Sequence, residues 1–226
     1  MKKFIVFIIT AIILAVGTIS CGNNASTKDP YASQRAREQF VKDSMARVQF
    51  VRDSIAFAKR VDELKPLFTE KSDEFSSSVW VEPKSAPKYA NRNGVYLYFE
   101  KKDGKAQNLR FKWQYYASEW LFIKNMVFNI DGQNIRIAPS METDCGNGGM
   151  IWEWCDESVV SGTSVGNEDT LTEINEKFIS LLANATSVKV KMNGSQYYDT
   201  RTLTAEQIKS IKDTYDYFKA LGGKIY

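Results

Sequence analysis

Histidine is absent from all 226 residues. That removes the side chain most often used as a base near neutral pH, the commonest nitrogen ligand for metals, and any Ser–His or Cys–His nucleophile pair. Cysteine occurs three times and proline five. So few thiols exclude a disulfide framework, and a two-cysteine metal site would need further ligands that the sequence does not offer. An excess of one charge is lacking too: 30 basic side chains face 27 acidic ones, which gives no electrostatic reason to expect a nucleic acid. Past Cys21 no uninterrupted apolar run reaches the roughly 18 residues of a membrane-crossing helix. The glycine-containing CGNGG at 145–149 lacks the Lys-Ser/Thr and following helix of a phosphate loop. No cofactor is expected.

What is present begins with MKKFIVFIITAIILAVGTISCG at 1–22. Lys2 and Lys3, the apolar run Phe4 to Val16, and the small residues Gly17, Thr18 and Ser20 form the three regions of a secretory signal. The run is short for a hydrocarbon layer about 30 Å thick. Ser20-Cys21 resembles the cleavage site of bacterial lipoproteins, with Thr18 and Ile19 where a Leu-Ala type pair is usual. That resemblance implies removal of residues 1–20 and lipidation, palmitate included, at Cys21. The mature chain is then expected at the cell envelope, held to a bacterial membrane by its lipid and facing the periplasm or exterior. Ordinary cleavage and an uncleaved anchor are the alternatives.

With Cys21 assigned to lipid, Cys145 and Cys155 remain. An oxidising compartment favours one disulfide closing CGNGGMIWEWC, a ring worth roughly 2.5 to 3 kcal/mol by chain entropy. Two free thiols are the alternative.

Residues 21–30 read as a flexible tether, since GNNASTKDP holds no large apolar side chain. From Tyr31 to Lys65 there is neither glycine nor proline, and Pro66 supplies a stop, so 31–66 is expected as one long helical stalk. QFVKDSMARV at 39–48 is repeated closely as QFVRDSIAFA at 49–58. Ten residues at about 100° each set equivalent side chains about 80° apart around a helix. A coiled-coil stripe of Val41, Val48, Val51, Ile55 and Ala58 is joined by Phe40, Phe50 and Phe57 at other angles. The helix is thus expected to space the domain from the bilayer, to pair with a copy of itself, or to dock on the domain.

Residues 75–226 are expected to form a β-rich domain. Segments around 79–82, 94–102, 106–117, 118–130, 133–139 and 150–156 are short, aromatic and β-branched, with Asp103-Gly104 and Asp131-Gly132 placed as hairpin turns. Leu109, Phe111, Trp113 and Tyr115 alternate with Arg110, Lys112 and Gln114, one face dry and one wet. SEWLFIKNMVFNI at 118–130 is apolar in both phases and is expected as a central strand, with Trp120 and Phe122 on one side and Leu121 and Ile123 on the other. Helical spacing follows at 169–185, with Thr170 and Glu173 as a capping box, and again at 203–223, with Thr204 and Gln207 as another and Gly222-Gly223 as the stop. Asn193-Gly194 turns a last hairpin between them. The fold class is α+β: predominantly antiparallel β, sandwich-like or a curved sheet, with two packed accessory helices after a long N-terminal helix.

Chemistry is sparse. Glu153 and Asp156 are the one candidate acid and base pair for sugar-bond hydrolysis, but strand alternation points them to opposite faces. Glu142, Asp144, Asn147 and Glu153 offer oxygens without the fixed recurrence of a calcium loop. Aromatics are plentiful, and Tyr116, Trp152, Trp154, Tyr197 and Tyr198 are the candidate ligand contacts, because exposed rings stack on sugars or anchor protein partners. Asp43-Ser44-Met45, Asp53-Ser54-Ile55 and Asp169-Thr170-Leu171 resemble O-glycosylation sites of gut and oral anaerobes; helical or capping roles are the simpler reading.

The strings PKSAPKY at 83–89, LRFKWQYYASEWLFIKN at 109–125, IWEWCD at 151–156 and QYYDTRTLTAEQ at 196–207 resemble an uncharacterised domain of bacterial lipoproteins and phage proteins. The resemblance covers residues 75 to 223 and carries no catalytic residue with it. The expected function is a non-enzymatic envelope lipoprotein contacting a protein or envelope polymer, with a carbohydrate-binding module as the alternative and a glycoside hydrolase behind it.

Overall fold

The computed structural model describes residues 31–72 and 74–226. The expected signal, Cys21 and the tether lie outside them. No helix among the described residues is long and apolar enough to cross a membrane.

Absence of helix breakers lets helix α1 run from Ala32 to Leu64, and Pro66 ends it in a short 3-10 turn at Lys65–Leu67. The chain divides within this helix into two units, one ending at Phe50 and one running from Val51 to Tyr226. In the first, Phe40, Val41, Met45 and Val48 are exposed. In the second, the end of α1 docks: Leu64 is buried, Val61 packs on the core, and the Arg60 guanidinium donates to Asp216 at 2.7 Å.

Two sheets follow. The first holds β1 (Phe68–Ser72), β2 (Val79–Pro83), β3 (Gly94–Lys102), β4 (Lys105–Ala117), β7 (Glu142–Cys145) and β8 (Ile151–Ser158), in the antiparallel order β1-β2-β3-β4-β8-β7. The second holds β5 (Asn125–Ile130), β6 (Gln133–Ile137), β9 (Leu171–Thr172), β10 (Val188–Asn193) and β11 (Tyr198–Thr202), in the order β11-β10-β5-β6-β9. Only the two-residue pairing of β6 with β9 is parallel in it. Both expected Asp-Gly turns form: Asp103 and Gly104 take φ of 50° and 77°, Asp131 and Gly132 take 47° and 92°, the left-handed pair that lets two residues join twisted strands.

The sheets meet ring against ring. Phe111 and Trp113 of β4 pack edge-on to Phe128 of β5, and Phe178 closes the cluster at 5.0 Å from Phe128. Phe178 belongs to helix α2 (Glu176–Ala183). Helix α3 (Ala205–Ala220) covers the neighbouring part of the first sheet, with Tyr217 and Phe218 both 5.7 Å from Phe99. The arrangement is α+β, a sandwich of two largely antiparallel sheets with two packed helices and a long helix before them.

Helix α3 starts with the expected capping box of Thr204 and Gln207, and ends where Gly222, at φ 76°, lets its own N–H and that of Gly223 reach back to Lys219 and Phe218. Helix α2 corrects the sequence reading. It begins at Glu176, seven residues after Asp169, and is capped by Asn175, whose side chain accepts the Phe178 N–H at 2.9 Å. The expected cap at Thr170 is unused because Leu171-Thr172 pairs with β6, and the Thr172 hydroxyl accepts from the Gly166 N–H.

Candidate functional site

Strand β8 alternates as IWEWCDES should, so Glu153 and Asp156 part to opposite faces. Glu153 lies inward, 1% exposed, and its carboxylate accepts three consecutive backbone N–H groups: Leu121 at 2.9 Å, Phe122 at 3.0 Å and Ile123 at 2.7 Å. A buried anion is tolerated only where such donors replace its hydration.

This contact overturns the expected strand at 118–124. Those residues form the connection from β4 to β5, and the ladder resumes only at Asn125. Phe122 takes φ 54°, a left-handed conformation that costs a bulky residue about 1 to 2 kcal/mol. The turn keeps Leu121 and Ile123 buried while Trp120 and Phe122 stand out at 41% and 52% exposure. Their rings lie parallel, 9° apart in plane and 5.0 Å between centroids.

The β10–β11 hairpin faces this loop. Ser195 N–H donates to the Leu121 carbonyl at 3.1 Å, and Lys124 N–H to the Asn193 carbonyl at 2.8 Å. A Cβ on Gly194 would sit 2.0 Å from the Leu121 oxygen, so only glycine permits the approach. Between them lies a cleft of about 280 Å³ lined by Trp120, Leu121, Phe122, Ser195, Gln196 and Tyr197. Tyr197 is thus brought together with two rings that the sequence reading placed inside a strand. Tyr198, also exposed, turns instead to the outer face of the second sheet, where the Lys191 ammonium sits 4.4 Å from its ring centre.

The remaining candidates share the outer face of the first sheet. Tyr116 and Trp152 are register partners, Trp154 pairs with Gln114, and all three aromatics are half-buried. Gln114 donates to the carbonyls of Tyr89 and Ala90, fastening the β2–β3 loop over this face. Asp156 lies nearby in a closed network: Tyr98 donates to it at 2.6 Å, Arg110 at 2.8 Å, and the Lys112 ammonium stands at 3.2 Å. Burial pushes the Asp156 carboxyl up, yet the Tyr98 and Arg110 hydrogen bonds and the Lys112 charge outweigh it and hold the group below the usual carboxylate range. Burial and the Asp156 charge raise the Tyr98 phenol, which stays protonated as donor. Every strong contact of Asp156 is internal, and Glu153 is across the sheet from it.

Glu142 and Asp144 pair in register with Trp154 and Trp152, on the face opposite Glu153, so these two carboxylates do not converge with Glu153. Among the described residues no group of three or more His, Cys, Asp or Glu is placed to hold a metal.

The expected Cys145–Cys155 bridge is not formed; both are free thiols. Cys145 pairs with Ile151, four residues along β8 from Cys155, about 13 Å of strand against a Cα limit near 7 Å for a disulfide. Cys155 is 1% exposed on the core face, and burial drives its thiol far up from its ordinary value. In a Cys21→Ser chain, a thiol-reactive chromogenic reagent is expected to label about one cysteine, Cys145, in the native state and the second only on unfolding. No labelling before reduction would indicate a bridge.

Comparison with protein-family models, with curated proteins and with solved structures gives no match for this chain. Fold and site together define an α+β sandwich domain with a preformed aromatic cleft where a connection between its sheets meets a hairpin.

Proposed function

We propose that this chain is a lipid-anchored envelope protein that binds through its β domain without catalysing a reaction, and that the Trp120–Phe122–Tyr197 cleft is its contact surface. One observation carries the reading: the loop holds Phe122 at a positive φ and keeps two large rings in water, while a buried carboxylate serves only to fix it there. Strain and exposed aromatic area of this kind gather at sites where a partner repays them. The anchoring half rests on Lys2-Lys3, the apolar run and Ser20-Cys21.

Crosslinking in intact cells tests both halves. Wild-type protein is expected in the membrane fraction, with partners lost from the Trp120→Ala/Phe122→Ala double variant while its melting temperature stays within about 3 °C of wild type. Equal partner recovery from the double variant overturns the contact surface. An unacylated Cys21 in mass spectra of the protein from the membrane fraction overturns the lipid anchor.

A further inference from the structure

We infer that the cleft between the 118–124 loop and the 194–197 hairpin receives one unit of an uncharged saccharide. The inference rests on the reading of this cleft as the contact surface and names what it takes. The lining residues are three aromatics, a leucine, a serine and a glutamine, and include no acidic or basic residue. A charged polymer would shed water there and meet no counter-charge. A neutral pyranose suits both halves of the surface. Its C–H face lies against the electron-rich face of an aromatic ring, and its hydroxyls exchange hydrogen bonds with groups that both donate and accept.

Size and rigidity agree. About 280 Å³ falls at the small end of ligand sites, room for a sugar ring rather than a helix. Three N–H bonds to Glu153 and two backbone bonds to the hairpin fix the walls beforehand. Little ordering is then left to oppose a weak, neutral ligand. Tyr197, 68% exposed at the rim, extends the ring surface to a neighbouring unit, so a chain is favoured over a single sugar.

The test is an amide-resolved NMR titration of the full chain in phosphocholine micelles with neutral hexasaccharides of glucose, mannose and N-acetylglucosamine, beside an anionic hexagalacturonate. A neutral oligomer is expected to shift the Trp120 indole and the 121–123 and 195–197 amides saturably, unchanged at about 0.5 M salt. Trp120→Ala is expected to weaken it at least about tenfold. No saturable shift up to about 10 mM of any neutral oligomer overturns the saccharide; shifts confined to Trp152 and Trp154, or a preference for the anionic oligomer, do the same. If partner recovery in cells still depends on Trp120 and Phe122 after such a failure, the contact surface stands and its ligand is not a neutral sugar. If that dependence is missing as well, the surface itself is wrong.

Discussion

Replacing Glu153 with glutamine is expected to lower the unfolding free energy by about 3 kcal/mol. The carboxylate accepts from Leu121, Phe122 and Ile123 with both oxygens. An amide keeps one acceptor and turns its NH₂ toward the remaining backbone donors, so at least one inward N–H is left facing another donor. Charge-assisted bonds contribute roughly 1.5 to 3 kcal/mol apiece, and an orphaned buried donor adds its own penalty. Urea unfolding should show the midpoint falling with an unchanged slope, the sign of lost stability rather than a changed denatured state. A loss below about 1 kcal/mol would mean that the loop is held by its hairpin contacts instead. Proteolysis at 118–124 should rise in the same variant, since its stiffness comes from the same bonds.

The second large effect belongs to the core. Phe128→Ala should cost about 4 kcal/mol, within the range for deleting a buried ring whose surroundings cannot collapse. Phe128 is fully buried and touches Phe111 and Trp113 of the facing sheet and Phe178 of α2, at 6.4, 5.9 and 5.0 Å. Two separate elements, β4 and α2, would have to move to fill the space. Phe128→Leu, which keeps much of the volume, should cost less than half as much, roughly 1 to 2 kcal/mol. If both variants lost the same amount, a cavity would not be the cause. Calorimetric or denaturant unfolding of the two variants side by side decides it.

The parts of this fold that a sequence reveals are those fixed by neighbours in the chain. Asp103-Gly104 and Asp131-Gly132 turn because glycine relieves the second left-handed position, and both are visible as dipeptides. Thr204 and Gln207 cap each other within four residues, and Leu109 to Tyr115 alternates because one side of β4 is dry. Residues 118–124 are not legible in this way because their shape is set from a distance. Apolar residues in both phases read as a central strand, but the N–H groups of 121–123 are claimed by Glu153, some thirty positions on. The only local signal was a glutamate between two tryptophans on the dry phase of β8, a charge in a position that demands partners. The site follows the loop: Tyr197 is legible as a candidate contact, whereas Trp120 and Phe122 read as one side of a central strand. Likewise Cys145 and Cys155 are close in sequence, yet the ladder between β7 and β8 moves them apart, and register is not a local property.

Glu153 grips only main chain. Nothing in that grip reads which side chains occupy positions 120 and 122, and both project into solvent. Selection can therefore exchange those two rings for other shapes while the loop keeps its course, so what the cleft presents is free to drift in a descendant whose scaffold does not.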